Sequence, residues 1–412
     1  VRVLIITQYF WPEAFRINDL ALGLQQLGHK VTVLTGKPNY PGGKFFAGYR
    51  LFGCDREDYQ GVEVRRVPLI PRGRGGGLRL AMNFFSFALF ASVLGPFKCR
   101  GGYNAILVYE PSPMTVALPA LVMKRFKRAP ILLWVQDLWP ESLSATGAVR
   151  SRLILRLVEA MVRFIYRGTD RILVQSLAFM DSVEKLGVER ERIQYFPNSA
   201  EDIYRPMSRD EAVEIADLPT GFRIMFAGNI GAAQAFDTIL AAAERLRGHP
   251  DIHWLILGDG RMAIWVRGEI ERRGLTDCVH MLGRHPVESM PRWFAMADAM
   301  LVTLKRDPIF ALTIPAKVQA YMACAKPIVA ALDGEGARVI EEAGAGLTAP
   351  ADDPEALARA VLDMYKMTVA DRVTMGAQAQ RYFETHFERR MLLDRLDQWM
   401  KELTQKKTPC AS

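Results

Sequence analysis

Short apolar runs alternate with amphipathic stretches along nearly the whole chain, and few architectures accept that order. A strand buried on both faces reads as an unbroken apolar run, and parallel neighbours need a helical crossover between them. The pattern therefore predicts α/β architecture with parallel sheets. In the first half, strands are expected at Val3–Ile6, Val31–Leu34, Val62–Val67, Ile106–Val108, Ile131–Val135, Ile172–Val174 and Ile193–Tyr195, with helices over 15–27, 114–126, 151–167 and 177–186.

Periodicity lapses in FPNSAEDIYRPMSRDEAVEIADLPTG, residues 196–221, where prolines and acidic side chains intervene. An interdomain linker is expected there. A second series follows, with strands at 223–227, 252–257, 278–281, 300–304 and 327–330 and helices at 233–247, 261–273, 286–296, 315–323 and 354–366. Strand-first order in both halves predicts two Rossmann-like, doubly wound domains facing across a cleft, over residues 1–200 and 215–385. The last periodic stretch, MLLDRLDQWMKEL at 391–403, has helical spacing with no strand after it. A terminal helix within 386–408, packing back on the first domain, is expected. With 412 residues, half of them hydrophobic, the chain has apolar material for both cores.

The formal charge of +8 points to an anionic partner. No Arg/Lys block is interleaved with aromatics as in nucleic-acid modules, so phosphate-bearing substrates and anionic lipid fit better. The five cysteines, Cys54, Cys99, Cys278, Cys324 and Cys410, lie apart without CxxC spacing, which implies a reducing compartment. VRVLIITQYF reads as a strand from its first residue and leaves no room for a signal peptide, so a cytoplasmic location is expected.

AMNFFSFALFASVLG, residues 81–95, is apolar but shorter than the ~20 residues a spanning helix needs. Arg72, Arg74 and Arg79 precede it and Lys98 and Arg100 follow, as in an interfacial segment meeting anionic headgroups, with Phe84, Phe85, Phe87, Phe90 and Phe97 as the apolar contact. A core helix is the plainer alternative. The helix at 151–167 adds Arg152, Arg156, Arg163 and Arg167 on one azimuth, and KRFKR at 124–128 adds more charge, which favours peripheral attachment to a membrane surface.

HExxH, GxSxG, GxxxxGK[ST] and GxGxxG are all absent, which removes the commonest zincin, hydrolase, P-loop and dinucleotide readings. In the first half, the turn Tyr9–Glu13, the turn GKPNYPGG at 36–43 and WVQDLWPES at 134–142 each follow a strand, where ligands of this architecture bind. Asp137 is positioned to fix an acceptor hydroxyl or to cap a helix. In the second half, AGNIGAAQAFDTI puts Gly228, Asn229 and Gly231 between strand and helix, so that free backbone N–H groups face a diphosphate. LGDGRM repeats the junction with Gly258, Gly260 and Arg261, and VTLKRDP presents Lys305 and Arg306 after a strand. Lys317 lies in the first turn of the helix beginning near Pro315, a poor place for a cation unless an anion binds there. Glu335, Glu341 and Glu342 are candidates for holding a ribose or sugar hydroxyl. No DxD-like pair ends a strand in this half, so a divalent metal is not required.

The order YFWPE, GHKVTVLTGKPNYPGG, WVQDLWPES, FPNSAE, AGNIG, LGDG, LVTLK, PAKVQAYMACAKPI and EEAGAG resembles the retaining glycosyltransferases of the GT-B fold, family 4. It is similar in particular to the branch of bacterial O-antigen and capsule enzymes often labelled fucosamine transferases. That resemblance implies a C-terminal domain holding a nucleotide sugar, with UDP as the carrier and no cofactor, and an N-terminal domain holding the acceptor. It further implies an N-acetylated amino sugar as the transferred unit, and residues 81–95 with the arginine face at 152–167 point to a polyprenyl-diphosphate-linked saccharide as the acceptor, at the cytoplasmic face of the bacterial inner membrane. Carried over residue by residue, Gly228 and Asn229 match the phosphate-contacting turn and Gly258 and Gly260 the turn near the nucleobase. The chain also departs from the family. Leu312 and Ala320 stand where many members carry a Glu-x7-Glu pair, Asn229 and Gln234 replace the usual Arg/Lys pair, and Gln136 replaces a histidine. Lys305 and Lys317 are the natural substitute cations, with Asp137 on the acceptor side. Two other classes stay open at this point: a sugar-nucleotide epimerase or phosphorylase, and a non-catalytic nucleotide-sugar-binding subunit of a membrane assembly.

Overall fold

The computed structural model describes residues 1–53, 55–73, 76–145, 147, 149–212 and 218–405. Cys54, Arg74, Cys410, residues 213–217 of the expected linker and the end of the expected terminal helix beyond 405 lie outside them. The chain divides into two compact units, one of Val1–Phe196 with Leu392–Ser412 and one of Pro197–Met391.

The first unit carries an eight-stranded sheet of β1 (Arg2–Ile6), β2 (Lys30–Gly36), β3 (Arg56–Tyr59), β4 (Val62–Val67), β5 (Ala105–Glu110), β6 (Ile131–Val135), β7 (Arg171–Val174) and β8 (Ile193–Tyr195). Their order is β3-β4-β2-β1-β5-β6-β7-β8, parallel except for β3. The central β1, β5 and β6 are apolar throughout their middles and buried at every residue but Arg2, as strands covered on both faces must be. Its helices are α1 (Arg16–Gln26), α2 (Gly77–Lys98), α3 (Leu118–Lys127), α4 (Glu141–Ala145), α5 (Arg152–Gly168) and α6 (Leu177–Lys185). Right-handed crossovers in this strand order put α1 on one face and α2, α3, α5 and α6 side by side on the other.

The second unit carries β9 (Phe222–Ala227), β10 (Ile252–Leu257), β11 (Val279–Gly283), β12 (Ala299–Thr303), β13 (Ile328–Ala331) and β14 (Gly346–Ala349), all parallel, in the order β11-β10-β9-β12-β13-β14. Around it run α7 (Phe236–Arg245), α8 (Ala263–Arg272), α9 (Met290–Met296), α10 (Pro308–Ala311), α11 (Ala316–Ala323), α12 (Glu335–Glu342), α13 (Pro354–Lys366) and α14 (Val369–His386). Phe226, Ile239, Trp254, Val266 and Val361 centre its core. The last helix, α15 (Arg389–Gln405), buries Leu392, Leu393, Leu396 and Met400. Within the first unit its Asp397 pairs with His29 at 3.1 Å and its Glu402 with Arg171 at 3.0 Å.

Two Rossmann-like parallel sheets are thus present. In each, the chain leaves a central strand in both directions, from β1 to β2 and β5 and from β9 to β10 and β12. The crevices outside the carboxyl ends of those pairs are where such sheets bind ligands. The sequence reading omits β3, β14, α4, α10, α12 and α14. REDY in β3 has no apolar alternation because it is an edge strand paired only to β4. The α14 helix buries only Gly376 and Ala379 and so shows almost no periodicity, although a capping box between Thr368 and Asp371 marks its start.

The segment expected at 81–95 is part of α2, whose 22 residues are long and apolar enough to cross a membrane by length and composition. One face of it is domain core: Asn83, Ser86, Phe87, Ala88, Ala91 and Gly95 are buried. Of the phenylalanines expected on a surface, Phe87 is therefore internal, and Phe84 packs toward Trp139 at 6.5 Å. Phe85 and Phe97 are exposed.

Candidate active site

At the carboxyl end of β9 the chain turns through Gly228 at φ +140°, and its N–H donates to Leu257 O at 2.9 Å. The turn after β10 nests against it. Ile230 N–H donates to Asp259 O at 2.8 Å and Met262 N–H to Ile230 O at 3.0 Å. The nesting requires glycine: a Cβ on Gly258, itself at φ +145°, would lie 1.9 Å from Gly228 O, and one on Gly260 would lie 2.3 Å from Ile230 O. Gly231 then leads through a single 3-10 turn, Ala232–Gln234, into α7.

Two further segments close on this turn. At the end of β12, Thr303 Oγ1 donates to Gln234 O at 2.6 Å and Lys305 N–H to Ala233 O at 2.9 Å. On α11, Tyr321 donates its hydroxyl proton to Ala227 O at 3.1 Å and accepts Ala227 N–H at 3.0 Å. One turn earlier on that helix, Lys317 brings its ammonium 3.6 Å above the Phe226 ring and 3.4 Å from where a Gly228 Cβ would stand.

Lys317 is the electrostatic centre of the arrangement. Its Nζ is buried and has no hydrogen-bond or ion-pair partner among the described residues, so burial pulls its pKa down to about 7. The stem of the side chain is only partly covered, but the nitrogen itself is shielded from water. A buried cation facing only an aromatic ring is costly, and the π face compensates in part. Gln234 Oε1 and both amide atoms of Gln319 are also buried without partners among the described residues. Four segments thus place an unsatisfied ammonium and the N–H groups of Asn229 and Gly231, which have no partner among the described residues, at one sheet edge, which is what an oxyanion such as a diphosphate requires.

The other residues anticipated from sequence fall into two groups. Arg261 and Lys305 are exposed, on the turns after β10 and β12. Glu335 lies at the start of α12, next to the carboxyl end of β13, buried and held by Arg338 Nε at 2.9 Å. Glu341 is not part of this edge: it is exposed on the last turn of α12 and accepts the Thr348 hydroxyl, because α12 runs back toward the amino end of the sheet. Arg306 is turned aside too, donating from its backbone to Asp352 at 2.8 Å and from its guanidinium to Ala351 O at 2.7 Å.

Asp137 belongs to the first unit, just beyond β6, where Trp139 Nε1 donates to it at 3.2 Å and burial raises its pKa. Its N–H points at Glu110 Oε2, 3.4 Å away, and Glu110 is fully buried at the end of β5 with its carboxyl pushed well up by desolvation and by Asp137. Sequence reading passed over Glu110, which ends an otherwise apolar run and is conspicuous only for that reason. It also left Glu13 without a role. That carboxylate accepts N–H bonds from Asn39 at 2.8 Å and Tyr40 at 2.7 Å, so it stitches the turn after β1 to the turn after β2, and burial raises it to about 7.

Both units resemble known proteins. Residues 14–199 match the model of a glycosyl transferase 4-like domain, and residues 221–367 match glycosyl transferases group 1. The probable glycosyltransferase WbjE of Pseudomonas aeruginosa is 29% identical over 328 residues, 77% of each chain. The putative colanic acid biosynthesis glycosyl transferase WcaI of Escherichia coli K12 is 25% identical over 336 residues, 78% of this chain and 81% of that one. Among solved structures, sucrose-phosphate synthase from Thermosynechococcus elongatus superposes with a TM-score of 0.72 at 16% identity, covering 98% of this chain and 100% of the other. Anabaena HepE, solved with UDP, gives 0.70 at 13% identity, again over 98% and 100%.

Proposed function

We propose that this chain, a glycosyltransferase built from a 4-like domain and a group 1 domain, moves a sugar from UDP to a saccharide carried on a polyprenyl diphosphate, retaining the anomeric configuration. The observation that carries the donor side is the buried, unpartnered Lys317 ammonium beside Gly228. UDP as the carrier is supported by the HepE complex, and assembly of an O-antigen or capsule polysaccharide by the colanic acid biosynthesis named for WcaI. The transferred unit in this reading is an N-acetylated amino sugar such as N-acetylfucosamine. An acceptor on a polyprenyl chain makes the enzyme a peripheral protein at the cytoplasmic face of the inner membrane.

In the reaction, the bond between the anomeric carbon and the β-phosphate oxygen breaks while the acceptor oxygen bonds to that carbon. Negative charge develops on the departing diphosphate, where Lys317, Lys305 and the N–H groups of Asn229 and Gly231 stabilise it without waiting for water to reorganise. A β-phosphate oxygen takes the acceptor hydroxyl proton from the same face, which accounts for retention. Within the first unit, Asp137 at the carboxyl edge of the sheet is the residue assigned to hold an acceptor hydroxyl.

A panel of UDP-sugars assayed for thermal shift and for transfer to a lipid-linked saccharide tests this reading, since ligand binding to the folded state raises apparent stability. Stabilisation by UDP-sugars with sugar transferred is expected; a chain that UDP-sugars never stabilise contradicts it. Lys305, exposed beside the turn, has a smaller expected share than Lys317. Lys305→Ala should lower turnover about 10- to 100-fold with the melting temperature unchanged, and steady-state transfer at the parental rate would remove Lys305 from the mechanism.

A further inference from the structure

One face of the first unit presents apolar side chains that no described residue covers. Along α2, Leu78, Met82, Phe85, Leu89, Val93 and Phe97 recur every three or four residues and are 37–77% exposed, forming one stripe opposite the buried one. On α5 the same occurs. Leu153, Ile154, Leu157 and Phe164 are 48–68% exposed while Val162, Ile165 and Tyr166 are buried, so the apolar arc of this helix is wider than the part the domain covers. A helix of a soluble domain normally keeps polar residues on its outer face. Both helices lie on the same face of the sheet, with α3 between them and its Phe126 66% exposed.

Charge identifies what covers this face. Arg125 and Arg128 at the end of α3, and Arg152, Arg156 and Arg167 on α5, are exposed and make no ion pair among the described residues. The carboxylates nearby are already engaged: Glu159 by Arg163 at 2.8 Å, Asp170 by Lys124 at 2.7 Å, and Asp55 by Lys98 at 2.6 Å. An isologous dimer through this face would set arginines against arginines. A bilayer with anionic headgroups satisfies both halves of the pattern, apolar side chains in the acyl layer and guanidinium groups at phosphate level.

We propose that α2 and α5 together form a single bilayer-inserting surface, and that it delivers the carboxyl edge of the first sheet to the membrane. Both helices start at that edge, because each follows the carboxyl end of a strand. On the inner side of α2, Asn83 Oδ1 accepts Gln8 Nε2 at 2.7 Å, in the turn after β1, while its neighbours Met82 and Phe85 face outward. A lipid-linked acceptor therefore meets the ligand edge without leaving the bilayer. This inference rests on the lipid-linked reading of the acceptor.

Sedimentation of the full chain with vesicles of phosphatidylcholine, with and without phosphatidylglycerol, tests it. Binding only to the anionic vesicles is expected. The pairs Phe85→Ser with Leu89→Ser, and Leu157→Ser with Phe164→Ser, should each reduce the bound fraction about tenfold or more. Both variants should keep the parental UDP affinity, which also reports that they fold. A parental chain that stays in the supernatant with anionic vesicles overturns the proposal, as does an α5 variant that binds like the parent, or a dimer in sedimentation equilibrium that the α5 changes dissolve. Transfer to a water-soluble, short-chain acceptor is measured alongside: if it is retained while vesicle binding is absent, the surface fails and the transferase reading stands.

Discussion

Lys317→Met is expected to lower sugar transfer by about a thousandfold and at the same time to raise the melting temperature of the unliganded chain. The two effects share one cause. Burial depresses this lysine to about 7, so the folded chain holds it poorly as an ammonium, whereas the unfolded chain binds that proton freely. With the folded pKa below the unfolded one, the unfolded state carries more protons between about pH 7 and the ordinary lysine range. Folding stability attributable to this residue therefore rises with pH across that window and is lowest below it. Methionine, of similar length and no charge, removes the penalty and leaves the Phe226 contact intact. Differential scanning calorimetry and steady-state transfer on the same preparation check both parts. A variant that is less stable and inactive would mark Lys317 as a structural residue instead.

Gly258→Ala should destabilise the second unit by about 3 kcal/mol and abolish UDP binding even where the chain remains folded. The new Cβ meets Gly228 O at 1.9 Å in a conformation that L-residues rarely adopt, and neither turn can move without breaking the Gly228 N–H bond to Leu257 O. Chemical denaturation gives the stability and calorimetric titration the binding. Gly274→Ala serves as the control for backbone strain alone, since its φ is +62° but nothing lies within 4 Å of the added carbon. Parental UDP affinity in Gly258→Ala would mean that the nested turns do not hold the diphosphate.

The strand framework was legible because buried parallel strands spell themselves out: LII in β1, AILVY in β5 and ILLWV in β6 leave little choice. So were the glycine turns, since strand, glycine and helix follow one another at 227–239. Elements that contribute little to the core were not legible, as β3 and α14 show. The roles of individual charges divide along the same line. Lys317 stood out as a cation in the wrong turn of a helix, a local signal. Glu341 and Arg306 looked equivalent to Glu335 and Lys305 because one-dimensional proximity does not tell which way a helix runs back or which loop an arginine reaches. The outward apolar side of α5 was hidden for a related reason: its arginines drew notice, and the periodicity of Leu153, Leu157 and Phe164 is what a core-facing stripe also shows.

Calorimetric titration of UDP at pH 8.5, repeated in buffers of different ionisation enthalpy, addresses the diphosphate site most directly. At that pH UDP is already fully ionised and Lys317 is largely neutral in the unliganded chain, so a bound diphosphate should draw close to one proton onto Lys317. Uptake approaching one proton per UDP, tighter binding at pH 6.5 than at 8.5, and loss of both in Lys317→Met are the predicted results. Binding of equal strength at the two pH values, with no proton taken up, would contradict the placement of the diphosphate against Lys317 and the Gly228 turn.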